Sequence, residues 1–87
     1  MTIYNYHDGH MVRIALINKT GRKYLTLIVI KGGRLQKIRV LKSETEYLQP
    51  VDMGKRQQRM AAATLRKMAK APGTSAVIRD TVQAALS

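Results

Sequence analysis

Apolar and polar residues alternate through the first half of the chain at the two-residue period of β-strands. Residues 10–18 follow this alternation, whereas residues 24–30 are apolar on both faces, as expected of a central strand. Residues 35–42 form a third segment of the same kind. Glycine-containing turns at residues 19–22 and 31–34 separate the three segments. The pattern therefore predicts a three-stranded antiparallel meander.

A short helical turn is predicted directly after the third strand. Ser43 and Glu46 have the spacing of a capping box, which favours a helical turn over residues 44–48. Pro50 ends this turn because proline lacks a backbone N–H, and Val51 is placed to begin a brief final strand.

This order of elements over residues 10–52 resembles the small SH3-like barrels. The resemblance implies that residues 1–52 form one β-domain around a strongly bent, partly open sheet. Its apolar residues are mostly aliphatic, with four Tyr and no Phe or Trp in the whole chain, so the expected core is small. A homodimer is one way to bury more surface, and the sequence leaves that assembly open.

From residue 53 onward the periodicity becomes helical. Residues 55–71 consist almost entirely of good helix formers, and a Pro-Gly pair at residues 72–73 ends the helix. A Thr-Ser pair at residues 74–75 then caps a second helix that ends at Leu86. We predict an α+β protein in which a small antiparallel β-meander, or SH3-like partial barrel, is followed by a two-helix hairpin. The hairpin, residues 53–87, is expected to pack on the sheet as one unit.

The balance of charge indicates the class of partner. The chain carries 16 Lys and Arg against five Asp and Glu, a formal net charge of +11, and its isoelectric point is near 10.6. Such a charge does not determine the fold, but it favours a polyanionic partner. The alternative is that the charge only keeps the protein in solution.

The first predicted helix segregates its cations on one side. Advancing about 100° per residue, six cations fall within an arc of roughly 120°; we call them the basic face: Lys55, Arg56, Arg59, Arg66, Lys67 and Lys70. The opposite side, expected to dock, carries Met60, Ala61, Thr64, Leu65 and Met68. No acidic residue occurs from Lys55 through Arg79, although a solvated helix usually intersperses Glu among its cations.

These observations favour a non-enzymatic nucleic-acid-binding protein, with DNA ahead of RNA. The basic face is expected to contact phosphates with little sequence discrimination, and Lys37 and Arg39 of the third strand are secondary candidates. A basic face that is merely solvated is the simpler alternative. A module that binds an acidic protein is another. Residues 18–24, NKTGRKY, together with the size and charge, resemble small accessory proteins of bacteriophages, which would make that partner a host protein.

The helical half has a resemblance of its own. Residues 55–86, with a Gly-Thr-Ser turn before the second helix and an Ile-Arg pair at residues 78–79, resemble the helices of ribbon-helix-helix DNA-binding domains. In that family a strand before the first helix pairs with its twin in a dimer and enters the major groove. Here the matching stretch, residues 47–53, contains Pro50 and no basic residue. By analogy the helix start at residues 74–75 would hold a phosphate; an ordinary helix cap is the favoured interpretation.

Other chemistries find no support in the sequence. Without cysteine there is no disulfide or thiolate site, and the carboxylates are scattered, so no catalytic constellation is recognised. His7, Asp8 and His10 are interpreted as an exposed N-terminal loop rather than a metal site. No cofactor is expected. Apolar runs are too short to span a bilayer, and the N-terminus lacks the pattern of a signal peptide. We therefore expect a cytoplasmic protein with no membrane partner.

Overall fold

The computed structural model describes residues 2–86, apart from the side chains of residues 45–47. Five antiparallel strands form one sheet in the order β4-β3-β2-β1-β5. The strands are β1 (Tyr4–Asp8), β2 (Met11–Thr20), β3 (Tyr24–Lys31), β4 (Arg34–Leu41) and β5 (Leu48–Pro50), with a 3-10 helix (Lys42–Tyr47) before β5. The helices α1 (Lys55–Ala69) and α2 (Ala76–Leu86) follow. The predicted α+β class is confirmed: an antiparallel meander, not closed into a barrel and compatible with a partial one, precedes a helical hairpin.

The N-terminal segment is a strand, so the prediction of a loop there was wrong. β1 pairs with β2 on one side and with β5 on the other. β5 begins at Leu48 rather than Val51 and includes Pro50, which an edge strand tolerates because its outer side needs no ladder hydrogen bonds. The helical turn is confirmed, although it ends one residue earlier than predicted. The side chain of Glu46, on which the proposed capping box depends, lies outside the described residues.

The turn between β3 and β4 follows from its two glycines. Lys31 is paired with Arg34, which leaves Gly32 and Gly33 as a two-residue loop. Their φ angles are +59° and +73°, and positive φ at both central positions defines the type I′ turn. This turn matches the twist of the flanking strands, so the register of β3 against β4 is fixed locally.

Buried apolar side chains cover both faces of the sheet. On the face that carries the helices, the core unites Ile3 with residues of β2, β3, β4, α1 and α2: Leu16, Ile28, Leu35, Leu65, Ala69, Ile78 and Val82. On the other face, the sheet curves over a second cluster: Ala15, Leu25, Leu27 and Val29, with Tyr4, Tyr6 and Leu48 packed against it. The first of these clusters holds α1 and α2 against the sheet and thereby sets which of their side chains remain exposed.

Candidate nucleic-acid interface

Helix α1 presents its cations to solvent. All six residues of the basic face are exposed. Among the residues described, the one ion pair joins Arg13 to Asp8, with Nε and Oδ2 3.1 Å apart. The charges of the basic face are therefore not neutralised by any carboxylate of the described chain.

The rotation of α1 about its axis differs from the one expected. Its buried residues are Ala62, Leu65 and Ala69, whereas Met60 is 64 % exposed. Thr64, also assigned to the docking side, is exposed, and its hydroxyl donates to the Met60 carbonyl at 3.1 Å. The helix packs through its small alanines because they allow close approach to α2 and the sheet. The expectation is thus confirmed for Ala61, Leu65 and Met68, which contact the core, and wrong for Met60 and Thr64, so the packed side lies nearer to the basic face than expected.

As a consequence, four of the six cations line a groove between α1 and α2. One part of this interhelical groove has a volume of about 500 Å³ and is lined by Arg66, Ala69, Lys70, Arg79, Val82 and Gln83. The adjoining part, about 310 Å³, is lined by Lys55, Gln58, Arg59, Ala62, Arg66 and Leu86. Arg56 and Lys67, the outer pair, line neither part.

Arg66 belongs to both parts of the groove and is held in place there. Its Nη2 donates a hydrogen bond to the carbonyl oxygen of Leu86 at 3.1 Å. That carbonyl lies in the last turn of α2, where backbone acceptors lack helical partners and a cation is favoured. The contact ties the two helices together and fixes the direction of the guanidinium group.

Arg79 is the groove cation that sequence reasoning missed as a binding residue. It lies on α2, is exposed, and reaches the groove from the wall opposite Lys70. Asp80, its neighbour in sequence, lines a separate depression beside Asn18 and Thr81 and so does not face the groove. A helical-wheel projection of α2 separates Arg79 from Asp80, but only the packing shows which of them meets α1.

The secondary candidates on β4 lie elsewhere. Lys37 and Arg39 are exposed, and neither lines the interhelical groove. The Arg39 guanidinium stands 4.5 Å from the centre of the Tyr24 ring, and the Lys23 ammonium is 5.7 Å from the same centre. Arg39 and Lys23 therefore both lie at the Tyr24 ring, outside the interhelical groove.

The start of α2 is an ordinary cap. The Ile78 N–H donates to the Ser75 hydroxyl oxygen at 3.3 Å, and the Thr74 hydroxyl donates to the Met68 carbonyl at 3.3 Å. The stretch that matches the DNA-reading strand of ribbon-helix-helix domains is also engaged, because β5 pairs with β1 of the same chain.

The N-terminal strand shows one perturbed group and no metal centre. Burial raises the pKa of the Tyr6 phenol, and the negative charges of Asp8 and Glu44 raise it further. His7 lies in β1 and His10 in the following turn, and both are exposed. Within residues 2–86, excluding side chains 45–47, no three potential metal ligands come together. Neither described helix is long and apolar enough to cross a membrane.

Comparisons of the chain with protein-family models, with curated proteins and with solved structures gave no match.

Proposed function

We propose that this protein binds nucleic acid, DNA in preference to RNA, without catalysing a reaction. The basic face of α1 contacts the phosphate backbone, and discrimination between sequences is low. The observation that carries the proposal is that six exposed cations on one helix have no carboxylate partner in the described chain. Self-repulsion among them is relieved when a polyanion binds.

The length of α1 suits a duplex backbone. Its 15 residues span about 22 Å. Over that distance duplex DNA carries roughly a dozen phosphate charges, at one per ~1.7 Å of axis. Several cations can therefore be neutralised at once, and the release of condensed counterions makes the affinity fall steeply with salt.

The geometry of the two duplex forms favours DNA. A helix with its side chains is about 10–12 Å wide, and the major groove of B-form DNA is about 12 Å wide. The major groove of A-form RNA is deep and too narrow for side chains to enter. An exposed helix such as α1 therefore approaches DNA more closely than it approaches an RNA duplex.

We further assign the sheet to the SH3-like barrels. The support is its strand order, in which β5 lies beside β1, together with the 3-10 helix that precedes β5. In this proposal the sheet is the platform and the helical hairpin is the binding element.

The test is binding of a random-sequence duplex, measured by fluorescence anisotropy across a range of salt concentrations. We expect wild-type affinity to fall with salt at a steep logarithmic slope. The double variant Arg59→Glu and Arg66→Glu is expected to lose binding. A control with the same change in net charge, Arg22→Glu and Lys31→Glu, alters turn cations away from α1 and is expected to retain most of it. Circular dichroism establishes that each variant is folded. Absence of duplex binding by the wild type at low salt contradicts the proposal.

An acidic protein is the second candidate partner, and one observation favours it. Met60, beside the cations of α1, is 64 % exposed, and Val77 of α2 is 51 % exposed. Apolar side chains next to unpaired cations suit a protein surface that is both acidic and apolar. Capture of one specific protein from a lysate, unchanged by nuclease and lost in Met60→Asp, supports this candidate over the first.

A further inference from the structure

The interhelical groove has the properties of a binding site for a phosphate chain. Its walls carry cations from two different helices, and in its larger part these are Arg66 and Lys70 from α1 and Arg79 from α2. Its floor is made of small or buried apolar residues, with Ala69 at 6 % and Val82 at 1 % exposure. A polyanion can therefore approach the floor closely while it is flanked by positive charge.

We infer that this groove seats one phosphodiester strand of a DNA duplex, with Lys70 and Arg79 contacting phosphates from opposite walls. The inference rests on the proposed function and specifies which cations carry it. Under it, the outer pair, Arg56 and Lys67, contributes through the general field of the molecule rather than through direct phosphate contacts.

The electrostatics of the groove support an anionic occupant. Among the residues that the structure describes, no acidic side chain lines either part of it. Asp80 is directed to the depression on the other side of α2, so the Arg79 charge remains uncompensated within the groove. Lys70 and Arg79 thus line the same part of the groove as like charges, an arrangement that a phosphate between them would stabilise.

Arg66 adds pre-organisation at the centre of the groove. One of its guanidinium nitrogens is bound to the Leu86 carbonyl, while a guanidinium group carries five N–H donors in a planar fork. The remaining donors belong to a side chain that lines both parts of the groove. A phosphate bound there orders a side chain that has little freedom left to lose.

The lining favours a duplex over a single strand. Proteins that bind single strands combine cations with aromatic rings on which the bases stack. None of the residues that line the groove is aromatic. Contacts are therefore restricted to the backbone, and a duplex presents the densest array of backbone charges.

The experiment compares two double variants that remove the same charge from different places. Lys70→Gln with Arg79→Gln removes one positive charge from each wall of the groove. Arg56→Gln with Lys67→Gln removes the two positive charges of the outer pair. Duplex binding is titrated against salt for both variants and for the wild type. We expect the groove variant to reduce the slope of log affinity against log salt by about two, one for each phosphate contact. The outer variant is expected to reduce it by less than one.

Other outcomes separate this inference from the proposed function. Equal losses for the two variants overturn the groove as the binding seat, while duplex binding by the basic face stands. No duplex binding by the wild type overturns both. Tighter binding of a single strand of the same length, or of an RNA duplex, contradicts the assignment of the occupant. A groove variant that loses binding to polyglutamate but keeps its affinity for DNA assigns the groove to an acidic protein instead.

Discussion

The Thr81 hydroxyl oxygen lies 2.9 Å from Asn18 Oδ1 and joins α2 to β2 where the pairing register of β2 against β3 shifts. The irregularity, between Ile17 and Lys19, leaves Asn18 outside the regular pairing, so its side chain is available to the helix. The same hydroxyl is also 2.8 Å from the Val77 carbonyl. One small group thus positions the second helix, and with it the wall of the interhelical groove that carries Arg79.

Replacing this hydroxyl is expected to loosen the attachment of α2. Thr81→Val keeps the shape of the side chain and removes the single hydroxyl proton, which is donated to Asn18 Oδ1 or to the Val77 carbonyl, so the free energy of unfolding should fall by about 1 kcal/mol. Chemical denaturation measures the change. The control is Thr64→Val, whose hydroxyl bonds only the Met60 carbonyl on the exposed side of α1 and whose loss should have little effect. Equal losses for the two variants would show that the contact with Asn18 does not stabilise the fold.

The rotation of α1 is tested by two truncations on the same helix. Leu65 is 2 % exposed and lies in the core shared with the sheet, so Leu65→Ala should lower the free energy of unfolding by about 2–5 kcal/mol. Met60 is exposed, so Met60→Ala should change the free energy of unfolding by no more than about 0.5 kcal/mol. Thermal or chemical denaturation distinguishes the two. A large loss of stability in Met60→Ala would show that α1 packs through the side expected from the sequence.

The type I′ turn predicts that two substitutions of Gly32 destabilise the protein to different extents. Gly32 has a φ of +59°, and no atom lies within 4 Å of the place that a Cβ would take. Any cost of Gly32→Ala is therefore conformational, about 1–2 kcal/mol in the free energy of unfolding. Gly32→Asn should cost much less, because asparagine is favoured at this position of such a turn. If the two variants have the same midpoint of denaturation, the turn has a different conformation in solution.

Tyr6 links stability to alkaline pH. Its pKa lies above the ordinary value of 10.0, first because the ring is partly buried and then because Asp8 and Glu44 repel the phenolate. A raised pKa in the folded state means that the stabilisation is fully present below pH 10 and is lost as the pH rises through the folded pKa. The difference in tyrosinate absorbance between the wild type and Tyr6→Phe should show a midpoint above 10.0. Asp8→Asn should lower that midpoint, and a midpoint at or below the ordinary value would contradict the prediction.

The sequence predicted the centre of the sheet better than its edges. β3 was predicted correctly because a short, continuous apolar run between two turns is typical of a central strand. β4 was predicted correctly because Gly32 and Gly33 mark the hairpin turn that precedes it. β1 was missed because, although Tyr4 and Tyr6 alternate with polar residues, the segment has no aliphatic side chain. Its hairpin with β2, closed by a two-residue turn that contains Gly9, was a local signal that could have been found, whereas its pairing with β5, far along the chain, is not visible in local pattern.

The candidate site was predicted in composition but not in arrangement. The angular segregation of cations follows from the helical repeat alone, and all six were correctly expected to be exposed. The docking side was placed opposite the cations by angle alone, whereas α1 packs through Ala62, Leu65 and Ala69, which leaves Met60 exposed. Arg79 could not be connected to the basic face beforehand, since its place depends on the packing angle of two helices.

Strand β3 is enclosed on every side, and this bears on how the molecule opens. It is paired with β2 along one edge and β4 along the other, and Leu27, Ile28 and Val29 are at most 1 % exposed, facing alternate cores. Its paired amide hydrogens stay bonded when the helices detach or when β5 frays. They should exchange with deuterium last, at a rate governed by global unfolding, so this strand reports the stability of the whole molecule.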